Sequence, residues 1–239
     1  MSDASSTRLA VEAVSAGADA IVRFAKAATP SAASRRLTLA DHRLVIESLH
    51  MTIRMVSHSL VREANSVRFR YGEHGEDGRG ADLQRTLILA GQHAYDATSA
   101  YEGAGDALKA DLQSITGPQA LETRRTATLR SAAASAWPAA QDMGRALDAG
   151  NGYGIRLAGH AQIADLLSHI VSDLVTLSGY EAALIDGCYE DLRMGRAAGR
   201  VSGPVVKGGF DLRRANRSLA VASVVLRDDA SAGIGRRSA

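Results

Sequence analysis

Cysteine is almost missing from this chain. Cys188 stands alone, which excludes an internal disulfide and any zinc site built on several cysteines. Aromatic residues make up only 4%, so the 46% hydrophobic share is carried mainly by Ala, Leu, Val and Ile. Alanine-rich apolar faces favour close helix–helix contact over thick cores. Four prolines in 239 residues leave room for long uninterrupted helices. The net charge of +2 is close to neutral, so no general attraction to nucleic acid or membrane follows. The longest strongly apolar run, LAVASVVL at 219–226, falls far short of the ~20 residues of a membrane span. The opening MSDASSTRLAVEAV lacks the basic segment and apolar core of a secretory leader. These absences point to a soluble, cytoplasmic protein.

What is present is helical periodicity. Pro30, Pro118 and Pro204 punctuate the chain, and between them apolar residues recur at threes and fours. A first helix is expected over about Thr7 to Ala28 and a second over Leu39 to Tyr71, with Thr38 as N-cap and Asp41 completing a variant capping box. The second carries Ile46, Leu49, Ile53, Val56, Leu60, Ala64 and Val67 on one line, with Leu44, Met51 and Met55 roughly opposite. A helix apolar on two sides tends to be central in a bundle. The third, about Ala81 to Ile115, has the clearest seam: Leu83, Leu87, Ala90, Ala94, Ala97, Tyr101, Ala104, Leu108, Leu112, Ile115. A fourth runs from Pro118 to about Ala149, where Pro138 should kink or split it. A fifth runs from about Tyr153 to Met194; Glu181 interrupts its apolar stripe and needs a partner if buried. No segment reads as a strand, and no convincing long internal repeat is visible.

The expected fold is all-α: an elongated antiparallel bundle of about five helices over 1–195, with a C-terminal basic amphipathic appendage. Residues 196–210 (RAAGRVSGPVVKGGF) read as a Gly-containing basic linker, and 211–239 as a short amphipathic helix and disordered tail.

Motifs for chemistry are weak. HRLVIESLHMTIRMVSH, 42–58, holds three histidines eight apart and one Glu-x-x-His spacing, Glu47 to His50. Two-metal bundles need two such pairs facing inward. Here Glu47 and His50 lie roughly 140° and 80° off the apolar stripe at 100° per residue, and no second pair exists. A three-helix set of His42, His93 and His160 has inward phase only at His42 and His160. EHGED at 73–77 lacks the alternating ligands of a calcium loop. GNGYG at 150–154 and GPVVKGG at 203–209 miss the nucleotide and phosphate-loop patterns. Cys188 sits on an apolar stripe, as a structural cysteine does. No metal, cofactor or catalytic residue is assigned, and the chain is expected not to be an enzyme.

Two basic clusters stand out. Arg62, Arg68 and Arg70 flank Phe69 and Tyr71 near a helix C-terminus, where arginines complement the helix dipole. Arg193, Arg196, Arg200, Lys207, Arg213, Arg214 and Arg217 face Asp211 alone, and they read either as a solvated tail or as a mobile arm that binds an anionic partner: phosphates, anionic lipid or an acidic protein. The leading expectation is a non-catalytic bundle acting through protein–protein contacts, as an oligomeric scaffold, adaptor or regulator, by self-association or with another helical protein. The alternative is a nucleic-acid-binding accessory protein using the basic arm; a metal-dependent bundle enzyme ranks last.

Overall fold

The computed structural model describes residues 3–29, 37–114, 124–148 and 154–234, and every regular element among them is an α-helix. These are α1 (Asp3–Ala28), α2 (Leu39–Glu73), α3 (Asp77–Ser114), α4 (Arg124–Asp148), α5 (Leu157–Asp191) and α6 (Gly195–Ser231). The expected GNGYG turn, the Gly117–Pro118 stop, the loop after Pro30 and the last five tail residues lie outside the described residues, apart from Gly154.

Thr38 does cap α2. Its hydroxyl accepts from the Asp41 N–H at 3.2 Å, and the Asp41 carboxylate accepts from the Thr38 N–H at 3.0 Å. Pro138 does not split α4. The carbonyl it leaves unpaired belongs to Ala134, an exposed residue, so the lost bond is not stranded in the core.

The helices form three layers, each two helices wide. α3 packs on α6, α2 and α5 lie over them, and α1 and α4 cover the far side. α2 is sandwiched between α3 and α4, as its two apolar sides require, and α5 likewise lies between α6 and α1. α1 therefore crosses over: it packs on α4 and α5 rather than on α2, its neighbour in sequence.

This arrangement corrects two expectations. The described residues hold six long helices instead of five with an appendage, and residues 196–210 are the first half of α6 instead of a linker. The glycines and Pro204 read as breakers, but tertiary packing overrides their low helix propensity. Gly208 receives the ring of Tyr101, and Gly209 abuts the Cβ of Ser178, contacts that larger residues would block. Pro204 is preceded by the exposed Arg200, whose carbonyl is the one left without its helical donor.

The expectation of no long internal repeat is overturned as well. The chain is a duplicated three-helix unit, with α1–α2–α3 matched by α4–α5–α6. The buried seam of α3, Gly80, Leu83, Leu87, Ala90, Ala94, Ala97, Tyr101, Ala104 and Leu108, recurs position by position in α6 at a shift of 118 residues: Ala198, Val201, Val205, Gly208, Leu212, Ala215, Leu219, Ala222 and Leu226. His42, Glu63, Tyr71 and Asp111 recur at the same shift of 118 as His160, Glu181, Tyr189 and Asp229. The packing obeys the same pseudo-twofold axis, since α2 on α3 corresponds to α5 on α6, and α1 on α5 to α4 on α2. Sizes trade across the axis: Tyr101 fills the space left by Gly208, while their counterparts are Leu219 and Ala90.

Candidate functional site

The two repeats are tied together by polar groups that the core would otherwise reject. His42, near the start of α2, meets Glu181 of α5 at 2.8 Å (Nδ1 to Oε1), with both side chains no more than 1% exposed. At the other end His160 of α5 meets Glu63 of α2, also Nδ1 to Oε1 at 2.8 Å and wholly buried. Each pair joins one repeat to the other, and the two are exchanged by the pseudo-twofold axis. Separated by 21 positions on each helix, they stand roughly 30 Å apart.

Burial alone would pull the imidazole of His42 toward its neutral form. The Glu181 carboxylate, assisted by the Cys188 thiol, outweighs that pull and pushes the His42 pKa up to about 9. His42 is thus an imidazolium locked to a carboxylate. The second oxygen, Oε2, of both Glu63 and Glu181 has no hydrogen-bond partner among the described residues, nor has the hydroxyl of Thr52, midway between the pairs on α2.

A second set of ties brackets the α3/α6 layer. Tyr71 of α2 donates its hydroxyl to Asp229 of α6, and the Arg79 Nε of α3 reaches the same carboxylate at 2.6 Å. The counterpart is Tyr189 of α5, which donates to Asp111 of α3 at 2.6 Å while Arg200 of α6 binds it at 2.8 Å. Desolvation first, and then the adjoining aspartate, raises both phenols above their ordinary pKa.

The buried pairs contain residue types used in nucleophilic catalysis: Ser66 lies 3.5 Å from His160 Nε2, and Cys188 adjoins His42. Both side chains are buried. Ser66 is 5% and Cys188 8% exposed, and both lie inside helices whose own hydrogen bonds occupy the backbone donors that an oxyanion would need. Two open clefts of about 350 and 760 Å³ border α1, one lined by Thr7, Arg8 and Arg156 and the other by Arg23, Lys26 and Ser131; neither is lined by a residue of the pairs.

Among the described residues no three metal-binding side chains gather. Glu47 pairs with Arg43 at 2.7 Å, and His50 Nδ1 lies 3.2 Å from the Thr98 carbonyl. Of the three-helix histidine set, His42 and His160 are committed to separate glutamates. The EHGED stretch turns the chain, with Gly75 at φ 73° and Asp77 paired to Arg68 at 2.9 Å. Arg62 and Arg70 are likewise engaged, with Asp148 at 3.1 Å and Glu73 at 2.9 Å.

The seven expected anion-binding residues are all exposed. Arg193 occupies the turn between α5 and α6 at φ 58°, and the other six ride on α6. Six of the seven thus lie on a helix packed into the bundle instead of on an extended arm. Arg200 is tied to Asp111, Arg214 stands 3.5 Å from Asp211, and Arg213 lies over the Phe210 ring at 5.4 Å.

That face holds a feature the sequence reading missed. Val206, Phe210, Val221 and Val224 of α6 point outward among the arginines, with Phe210 55% and Val221 59% exposed. On α3 the outward residues include Ile88, Leu89 and Tyr95. The charges differ by helix: α3 carries six acidic and three basic residues, while α6 carries seven basic and three acidic. The shift of 118 pairs Asp82 with Arg200 and Asp96 with Arg214 as equivalent positions of opposite sign.

No family model matches the chain, and comparison with curated proteins and with solved structures likewise gave no match. No helix among the described residues is long and apolar enough to cross a membrane.

Proposed function

We propose that this protein is a non-catalytic helical scaffold or adaptor that works through contacts made by the outer face of α3 and α6. The observation that carries the reading is the set of seven large apolar side chains exposed on that one layer, while every candidate nucleophile, acid and base of the interior is sealed. Isolated exposed apolar residues need no explanation, but a patch rimmed by charge marks an interaction surface. The single cysteine fits a reducing cytoplasm.

A nucleic-acid reading of the α6 cations is the weaker one. Val206, Phe210, Val221 and Val224 interleave with the arginines, and a phosphate backbone offers these apolar groups nothing to bury against. The test is quantitative affinity capture of the full chain from its own host, wild type against Phe210→Glu with Val224→Glu. Both positions are exposed, so circular dichroism should be unchanged. The variant is expected to lose the chains that the wild type retains; equal recovery would sink the reading. Retention of nucleic acid that disappears on modest addition of salt would favour the alternative.

A further inference from the structure

We infer that the partner for this face is a second copy of the same chain, docked so that the basic α6 of one copy lies on the acidic α3 of the other, and the reverse. The inference rests on the contact reading above and names its partner.

Within one copy α3 and α6 run antiparallel, as Arg79 with Asp229 and Asp111 with Arg200 at opposite ends require. Two such layers can be placed face to face by a twofold axis in two ways. An axis across the helices sets α6 on α6 and α3 on α3, opposing arginines to arginines. An axis along the helices sets α6 on α3 twice, and the opposite net charges of the two helices favour this one.

The levels along the bundle then follow from the fold. Tyr101 stands at the level of Gly208. One position further along each antiparallel helix brings Glu102 level with Lys207, and continuing in the other direction brings Asp96 level with Arg213 and Ile88 level with Val221. All six of these side chains are exposed. The axis along the helices keeps each residue at its own level, so these become the pairs formed between copies. Charged and apolar matches thus arise from one operation with no adjustable register. The face is about 50 Å long and two helices, roughly 20 Å, wide. That is about 1,000 Å² per copy, above the ~800 Å² per partner of a stable specific interface.

The experiment uses the full chain and two charge-reversed variants, Asp96→Arg with Glu102→Lys on α3, and Lys207→Glu with Arg213→Glu on α6. Light scattering with chromatography and native mass spectrometry should find the wild type at twice the chain mass. Each variant alone should bind itself roughly 100-fold more weakly, because like charges now meet at both halves of the interface. Mixed, the two variants should form a one-to-one dimer, since each reversed helix meets a reversed partner. A variant carrying all four changes should dimerise again, which separates loss of binding from loss of fold.

A monomeric wild type at about 100 µM overturns the inference, as does a dimer that neither reversal weakens or a mixture that fails to pair. Assembly seen only on anionic vesicles or nucleic acid overturns it too. If the wild type is monomeric and Phe210→Glu with Val224→Glu still loses a different chain, the contact reading survives while the second copy is excluded.

Discussion

Replacing Glu181 by Gln isolates the buried His42 pair. The amide keeps the size and an acceptor oxygen while removing the charge that holds His42 protonated. His42 titrates near 6.5 without this environment and at about 9 within it. The difference, at ~1.4 kcal/mol per pH unit, amounts to ~3 kcal/mol of folding free energy. The sign follows from proton binding. The folded state holds the proton more tightly than the unfolded state, so this stabilisation is fully present below about 6.5 and is lost as pH rises through about 9. Urea unfolding of wild type and Glu181→Gln at half-unit steps from pH 5.5 to 10 should show the wild-type advantage shrinking by at least ~3 kcal/mol across that window. Other groups titrate there, but they are common to both chains and cancel in the difference. Parallel stability curves for the two proteins would refute the reasoning, and so would an imidazole titration by NMR that places His42 at or below 6.5.

Three further outcomes follow from the same geometry. Asp229→Ala and Asp111→Ala each strand a buried tyrosine hydroxyl and remove its charged acceptor, so each should cost ~2–3 kcal/mol by denaturant unfolding. Because the pseudo-twofold axis exchanges them, the two losses should agree within about 1 kcal/mol. Gly208→Ala would set a Cβ 2.6 Å from the Tyr101 ring and should lower stability by ~1–3 kcal/mol, whereas Gly203→Ala, with nothing within 4 Å, should raise it by ~0.5–1 kcal/mol; thermal denaturation distinguishes the two. Treatment with a strong chelator should leave the melting temperature unchanged, since the described histidines nearest to a ligand role are held by glutamates.

Much of the secondary structure was legible because helical periodicity is a local property. The α3 seam, the Thr38 cap and the two-sided apolar pattern of α2 each depend on residues within a few turns. Glu181 on an apolar stripe announced a buried partner, and His42 was the one α2 histidine with inward phase. Their meeting was not legible, because it joins positions 139 residues apart. The duplication was hidden for a related reason. Its matched positions keep burial and spacing but change residue, as Tyr101 to Leu219, Ala90 to Gly208 and Asp96 to Arg214. A search at one fixed shift for His, Glu, Tyr and Asp, the residues whose buried hydrogen bonds tolerate least change, would have found it.

The α6 face shows where local signals fail. Five glycines and a proline between 195 and 209 read as a linker, since propensity counts only what a residue does to its own helix. In the folded chain two of those glycines admit Tyr101 and Ser178 against the backbone, and packing makes the segment helical.

By itself the sequence determined that the regular structure of the described residues is helical, that its helices are long, and which stripe of most of them is buried, because period and capping act between near neighbours. The tertiary structure alone decided that the six described helices are two interlocked copies of three, that the lone glutamates and histidines of the core pair with one another across that axis, and that apolar and charged groups share one outer face. Those outcomes depend on which helices meet, and that is set by size and charge matched over more than a hundred residues.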